Sequence, residues 1–168
     1  MKARTRTLSK LGAMISAIAI AAAWPVFGDE SSVSSDDTEI TSAKLLSMFK
    51  AAYVKAELND KGDVLLQEGG MKTIVQVDAK KKTISYISVW PMKESSSELE
   101  KLRFVNKLND TLILVRFCMP RPTTLWCDYQ MSFEAGLSPQ TLVTTYRVFA
   151  KVVQGAMATM DPDDIVGR

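Results

Sequence analysis

The alternation of apolar and polar positions along the chain changes period several times, and each change marks an element. Leu45, Met48, Phe49, Ala52 and Tyr53 recur at helical spacing behind Thr41 as N-cap, which predicts a helix over about 41–53. The period then shortens to two. Val54–Leu58 reads as extended, Asn59-Asp60-Lys61-Gly62 as a turn, and Val64–Gln67 as a strand. Gly69-Gly70 makes the next turn, and in Met71–Asp78 the set Thr73, Val75, Val77 alternates with Lys72, Gln76, Asp78. After a turn at Ala79–Lys82, Thr83–Trp90 is rich in β-branched and aromatic residues and stops at Pro91.

Helical spacing returns at Ser97-Glu98-Leu99-Glu100, a capping box with Ser97 as N-cap and Glu100 three residues on. Leu99, Leu102, Val105 and Leu108 are the expected inner face of this helix, with Asn109 as a left-handed terminator. Thr111–Met119 is so apolar that it predicts a strand covered on both faces. Pro120-Arg121-Pro122 turns the chain, and Leu125–Phe133 returns with Leu125, Cys127, Tyr129, Met131 and Phe133 on one side. Ser138-Pro139 is an N-cap followed by proline at the first helical position, ahead of Leu142, Tyr146, Phe149, Val153 and Met157 on one helical face. The tail from Asp161 to Arg168 is acidic and reads as frayed.

The order is helix, three or four strands, helix, two strands, helix. Neighbouring strands joined by short turns pair antiparallel, and helices with one apolar stripe must cover one side of a sheet. The expected architecture is therefore a single α+β domain over residues 41–160, an antiparallel sheet with its helices packed on one face.

The first thirty residues follow a different logic. Lys2, Arg4, Arg6 and Lys10 precede an uncharged stretch from Leu11 to Phe27, and Pro25 and small residues lead into Asp29-Glu30. That is the layout of a secretory signal peptide over residues 1–28, cut between Gly28 and Asp29, with a cut after Ala23 as second choice. An uncleaved membrane anchor is the alternative, since 17 uncharged residues lie at the lower limit of a bilayer span. Residues 29–40 read as a Ser- and Asp-rich linker. Removing residues 1–28 turns the formal charge of +2 into 17 basic against 19 acidic residues, a net of −2. A slightly acidic domain does not suit a nucleic-acid binder, which must neutralise phosphates. The expected location is the periplasm or the exterior, with membrane contact only if the N-terminal segment stays attached.

Candidate chemistry is sparse. The chain of 168 residues holds no histidine, which excludes imidazole-based triads and the usual zinc hydrolase sites. Gly69-Gly70 lies between strands, where a hairpin turn is the reading, and no phosphate-cradling loop precedes a helix. Asp161, Asp163 and Asp164 begin like a calcium loop but lack its later glycine and glutamate. Glu57, Asp63, Glu68 and Asp128 are carboxylates with no spacing that singles out an acid/base pair. Lys80-Lys81-Lys82 reads as a soluble hairpin tip, and Trp90 and Trp126 as covered sheet residues or partner anchors. No cofactor, metal or catalytic residue is implied. An envelope enzyme working with carboxylates alone is the alternative.

The two cysteines pose a question of register. Pairing Cys118 directly with Cys127, which suits export to an oxidising compartment, sets Arg116 opposite Tyr129. The register one residue over sets Arg116 opposite Asp128, Phe117 opposite Cys127 and Val115 opposite Tyr129. A slip of one residue exchanges faces, so only one can hold. A bridge would add roughly 2.5–3 kcal/mol. The other register satisfies a charge pair and the apolar alternation, and both stay open here.

Several segments together resemble a known family. These are FKAAYVKAEL, NDKG, VLLQ, MKTIVQVD, ISYISVW, ELEKLRFVNKLND with Asn106 and Asn109, LILVRF, and WCDYQMSFEAGLSPQTLVTTYRVFAKVV. In order and spacing, residues about 41–157 resemble the YbjN domain family, described as sensory transduction regulators with a fold similar to type III secretion chaperones. The resemblance implies a protein-binding module, often dimeric, and carries no catalytic residues. The N-terminal export signal departs from a family that is often cytoplasmic. Combined with the strand pattern, the expected partner surface is the sheet face bearing Leu112, Leu114, Arg116, Cys118, Trp126 and Asp128, opposite Ile113, Val115 and Phe117. A protein partner or a second copy of the chain is the expected occupant.

Overall fold

The computed structural model describes residues 39–161 and 163–167. The signal segment, its Gly28–Asp29 junction and residues 29–38 of the linker lie outside them. The element order is α1 (Ser42–Ala51), β1 (Lys55–Leu58), β2 (Val64–Glu68), β3 (Met71–Asp78), β4 (Thr83–Pro91), α2 (Glu98–Thr111), β5 (Arg116–Arg121), β6 (Thr124–Ser132) and α3 (Pro139–Thr159). The six strands form one antiparallel sheet in the order β1-β2-β3-β4-β6-β5. This is the expected α+β architecture.

Period-two alternation puts Val64, Leu66, Met71, Thr73, Val75, Ile84, Tyr86, Ser88, Leu125 and Cys127 on one buried face. The helices pack there. Tyr86, near the middle of the sheet, lies 6.3 Å from the Tyr146 ring and 6.0 Å from Phe149 of α3, and its hydroxyl donates to the Leu142 carbonyl at 2.9 Å. Phe49 of α1 meets Tyr146 edge-on at 5.7 Å. The helix starts follow the sequence: Thr41 accepts from Lys44 N–H, Ser97 and Glu100 close the capping box, and Ser138 accepts from Thr141 N–H ahead of Pro139.

Helix α2 is turned about its axis from the expected orientation. Lys101, Phe104, Val105 and Leu108 are buried, whereas Leu99 and Leu102 face solvent. This inward set has its own helical spacing and places the larger Phe104 ring inside. Lys101 lays its stem in the core while its ammonium donates to the Pro122 carbonyl at 2.8 Å.

The apolar run after α2 also departs from its expected form. The helix continues through Thr111, residues 112–115 bend, and strand pairing starts only at Arg116. Ile113 is 98% exposed and Leu114 is also exposed, so this segment is not a strand covered on both sides. Asn109 does not end the helix. Its side-chain amide donates to the Phe117 carbonyl at 2.8 Å and accepts from the Phe117 N–H at 2.9 Å, as a neighbouring strand would. Tyr53, expected on the inner face of α1, is 99% exposed, because φ of +60° at the helix end swings it outward.

The tail is docked rather than frayed. The buried Asp161 carboxylate accepts from the N–H groups of Ile165 (2.7 Å) and Val166 (3.0 Å). Ile165 and Val166 are buried, Val166 bridges to Met92, and Gly167 N–H donates to the Pro91 carbonyl. An ion pair of Lys93 with Asp164 adds a further tie. Removing both acceptors leaves buried donors without partners. Asp161→Ala is expected to cost about 1–3 kcal/mol in denaturant unfolding and to speed amide exchange at Ile165 and Val166. Unchanged protection at those two amides would show that the tail is held by something else.

Candidate functional site: the bare face of the sheet

The three described helices all lie on one side, so among the described residues no helix covers the side chains of the other set. Two cross-strand rows define this outer face. Leu65, Ile74, Ile87, Asp128 and Arg116 form one row, and Val89, Trp126 and Cys118 the next. Trp126 is 39% exposed, and Val89 is similarly exposed. Leu65, Ile74 and Ile87 are half-buried.

Ile74, Ile87, Val89 and Trp126 floor a shallow hollow of about 440 Å³, and the β1–β2 turn leans over its rim. That turn is rigidly built. Asn59 Oδ1 accepts from the N–H groups of Lys61 and Asp63, both at 2.9 Å. The Asp63 carboxylate accepts from Asn59 Nδ2 at 3.3 Å and from Gln76 Nε2 at 3.2 Å. The far end of the face is polar and satisfied within itself, with Gln130 Nε2 donating to Thr83 and Ser85 hydroxyls at 3.3 Å. The apolar part is therefore one end of the face.

Arg116 and Asp128 pair there side-on through one guanidinium edge, with Nε donating to one carboxylate oxygen at 2.9 Å and Nη2 to the other at 2.6 Å. The Asp128 carboxylate holds the Arg116 pKa above its ordinary value, through hydrogen bonding first and charge second. The register is the one that sets Arg116 opposite Asp128 and Phe117 opposite Cys127. It places Cys118 on the outer face and Cys127 in the core, and both thiols are free. The Cys118–Cys127 bridge is thereby corrected, because neighbouring residues of a strand point to opposite faces. Burial pushes both thiols up in pKa, Cys127 the more strongly.

The structure brings Arg116, Cys118, Trp126 and Asp128 together on the outer face. It does not bring Leu112 and Leu114 there. Leu112 caps α2 and packs against the core, and Leu114 lines a groove with Val115, Tyr129, Val148 and Phe149 on the helix side. Leu65, Ile74, Ile87 and Val89 take their place, and sequence reading passed over them. The signal was present in Ile74, the apolar member of the otherwise polar set Lys72, Gln76 and Asp78. Trp90 is on the core side, opposite Leu125.

Other candidate chemistry is dispersed. Asp63 and Asp128 are each engaged as described, while Glu68 ends β2, where its carbonyl accepts from Gln154. Asp161 serves the tail and Asp78 accepts from Lys81, whose N–H and ammonium lower its pKa. Among the described residues no three His, Cys, Asp or Glu side chains cluster as metal ligands, and no helix is long and apolar enough to cross a membrane.

These features define an α+β domain with one sheet face covered by helices and the other bare among the described residues. The chain belongs to the YbjN family, described as "Putative bacterial sensory transduction regulator", whose family model matches residues 41–161. Among solved structures, that of YbjN from E. coli superposes with a TM-score of 0.65 at 9% identity, covering 78% of this chain and 98% of that one. The Yersinia pestis type III secretion chaperone SycH, solved with a fragment of YscM2, is more distant, with a TM-score of 0.45 at 14% identity over 68% of this chain and 98% of that chain. A search of the curated proteins finds no match.

In the native protein a thiol reagent is expected to label Cys118 well before Cys127. After denaturation without reductant both thiols should titrate as free. Recovery of a Cys118–Cys127 disulfide peptide would overturn this register.

Proposed function

We propose that this protein is an exported, non-catalytic regulatory module that binds a protein partner through the bare face of its sheet, and that it works as a dimer. The observation that carries the reading is the uncovered apolar end of that face, with Ile74, Ile87, Val89 and Trp126 around a hollow under a hydrogen-bonded rim. An apolar patch on a rigid sheet, anchored by a tryptophan and flanked by a paired Arg116 and Asp128, has the composition of a protein-docking surface. Membership of a family of regulators supports a binding role over a catalytic one. Export rests on the basic, apolar and small-residue pattern of residues 1–28.

A photo-reactive residue in place of Val89 is expected to cross-link a discrete polypeptide in living cells. Trp126→Lys should abolish that product, while Gln130→Lys, at the polar end, should leave it. Cross-linking unaffected by Trp126→Lys would sink the docking role of this face. Intact-mass measurement of the cellular protein is expected to give a chain that begins at Asp29. Full-length mass would assign the protein to an anchored form instead.

A further inference from the structure

The two edges of the sheet are treated differently. At β5 the Phe117 N–H and C=O are both occupied by Asn109, and the ladder slips between Cys118 and Arg121, where Pro120 stands. That edge is closed to another strand. At β1 no strand lies outside among the described residues.

The direction of the β1 peptide groups follows from its hairpin. Asn59 N–H donates to the Asp63 carbonyl at 2.9 Å, and residues alternate along an antiparallel ladder. Lys55 and Glu57 therefore turn their peptide groups toward β2, while Ala56 and Leu58 turn theirs outward. The outward groups form an unprotected pairing edge.

We propose that a second copy of this chain occupies this edge, β1 pairing antiparallel with β1 of the partner subunit about a two-fold axis at Ala56. The register is dictated by the sequence of the strand. With Ala56 opposite Ala56 of the partner subunit, the outward peptide groups meet in a hydrogen-bonded pair. Lys55 then falls opposite Glu57 of the partner subunit, and symmetry repeats this contact, so two opposite-charge pairs form on one face. On the other face Leu58, 46% exposed in the single chain, falls opposite Val54 of the partner subunit and is covered. Tyr53, fully exposed and held at positive φ just ahead of the strand, is carried toward the partner's β1–β2 turn. The two sheets become one continuous sheet, and the hollow at Trp126 stays open in both copies. This inference rests on the dimeric part of the proposed function alone and is independent of what docks on the bare face.

Sedimentation velocity of the purified protein over a concentration series tests it. Wild type is expected to dimerise, more weakly at high salt. Ala56→Pro removes an outward N–H that β2 does not use, so circular dichroism should be retained and the dimer lost. Glu57→Lys or Lys55→Glu alone, each placing like charges opposite one another, should weaken the dimer about tenfold or more. Mixing those two variants should restore association as a heterodimer, and the double exchange in one chain should restore the homodimer. Trp126→Lys should leave the dimer intact. A dimer indifferent to Ala56→Pro and to the charge exchanges would overturn the β1 interface while leaving dimerisation standing. A monomer throughout the series would overturn both, without bearing on the bare face.

Discussion

Tyr86 is where the two layers of the molecule are fastened. Its ring is buried in the middle of the sheet against Tyr146 and Phe149, and its hydroxyl reaches past them to the Leu142 carbonyl in the first turn of α3. A buried phenol must find a partner for its O–H, so the aromatic stack and the hydrogen bond together fix the height and direction of α3 on the sheet. Once α3 is seated, Phe49 packs α1 against Tyr146, and α2 completes the layer beside β5. All three described helices are then on one side. The other face is left to whatever residues the period-two alternation has placed there.

That one-sidedness gives the outer face its mixed character. Where polar side chains meet, as at Gln130, Thr83 and Ser85, they satisfy one another and the surface is at rest in water. Where Ile74, Ile87, Val89 and Trp126 meet, no helix among the described residues covers them, and the β1–β2 turn only rims the hollow. The edges show the same selectivity. Asn109 spends both functions of its amide on Phe117 and closes one edge, while among the described residues no strand pairs with the outer edge of the short β1.

Much of this was legible in local patterns. The turn Asn59–Gly62, the glycine pair at 69–70, the capping box of α2 and the proline after Ser138 each encode their geometry within a few residues, and the elements they bound appear where expected. Alternation also placed Leu125, Cys127 and Tyr129 on the core side. The candidate surface was half legible: Arg116, Trp126 and Asp128 belong to it, but Leu112 and Leu114 do not, because the apolar run containing them is a bend rather than a strand. An apolar run of that length has no period to distinguish strand from irregular chain.

The sequence by itself determined the class of architecture and the antiparallel pairing, and it narrowed the register of β5 with β6 to two choices, of which the structure holds the charge-paired one. Each follows from side chains no more than a turn or a strand apart. Tertiary structure alone decided the rotation of α2 that buries Lys101 and exposes Leu99, the reach of Asn109 to Phe117, and the docking of Ile165 and Val166 beside Met92. A helix with two nearly equivalent apolar stripes chooses between them only when a neighbour is present. A tail acquires a place only when a distant strand end offers it partners, and no local pattern of side chains carries that information.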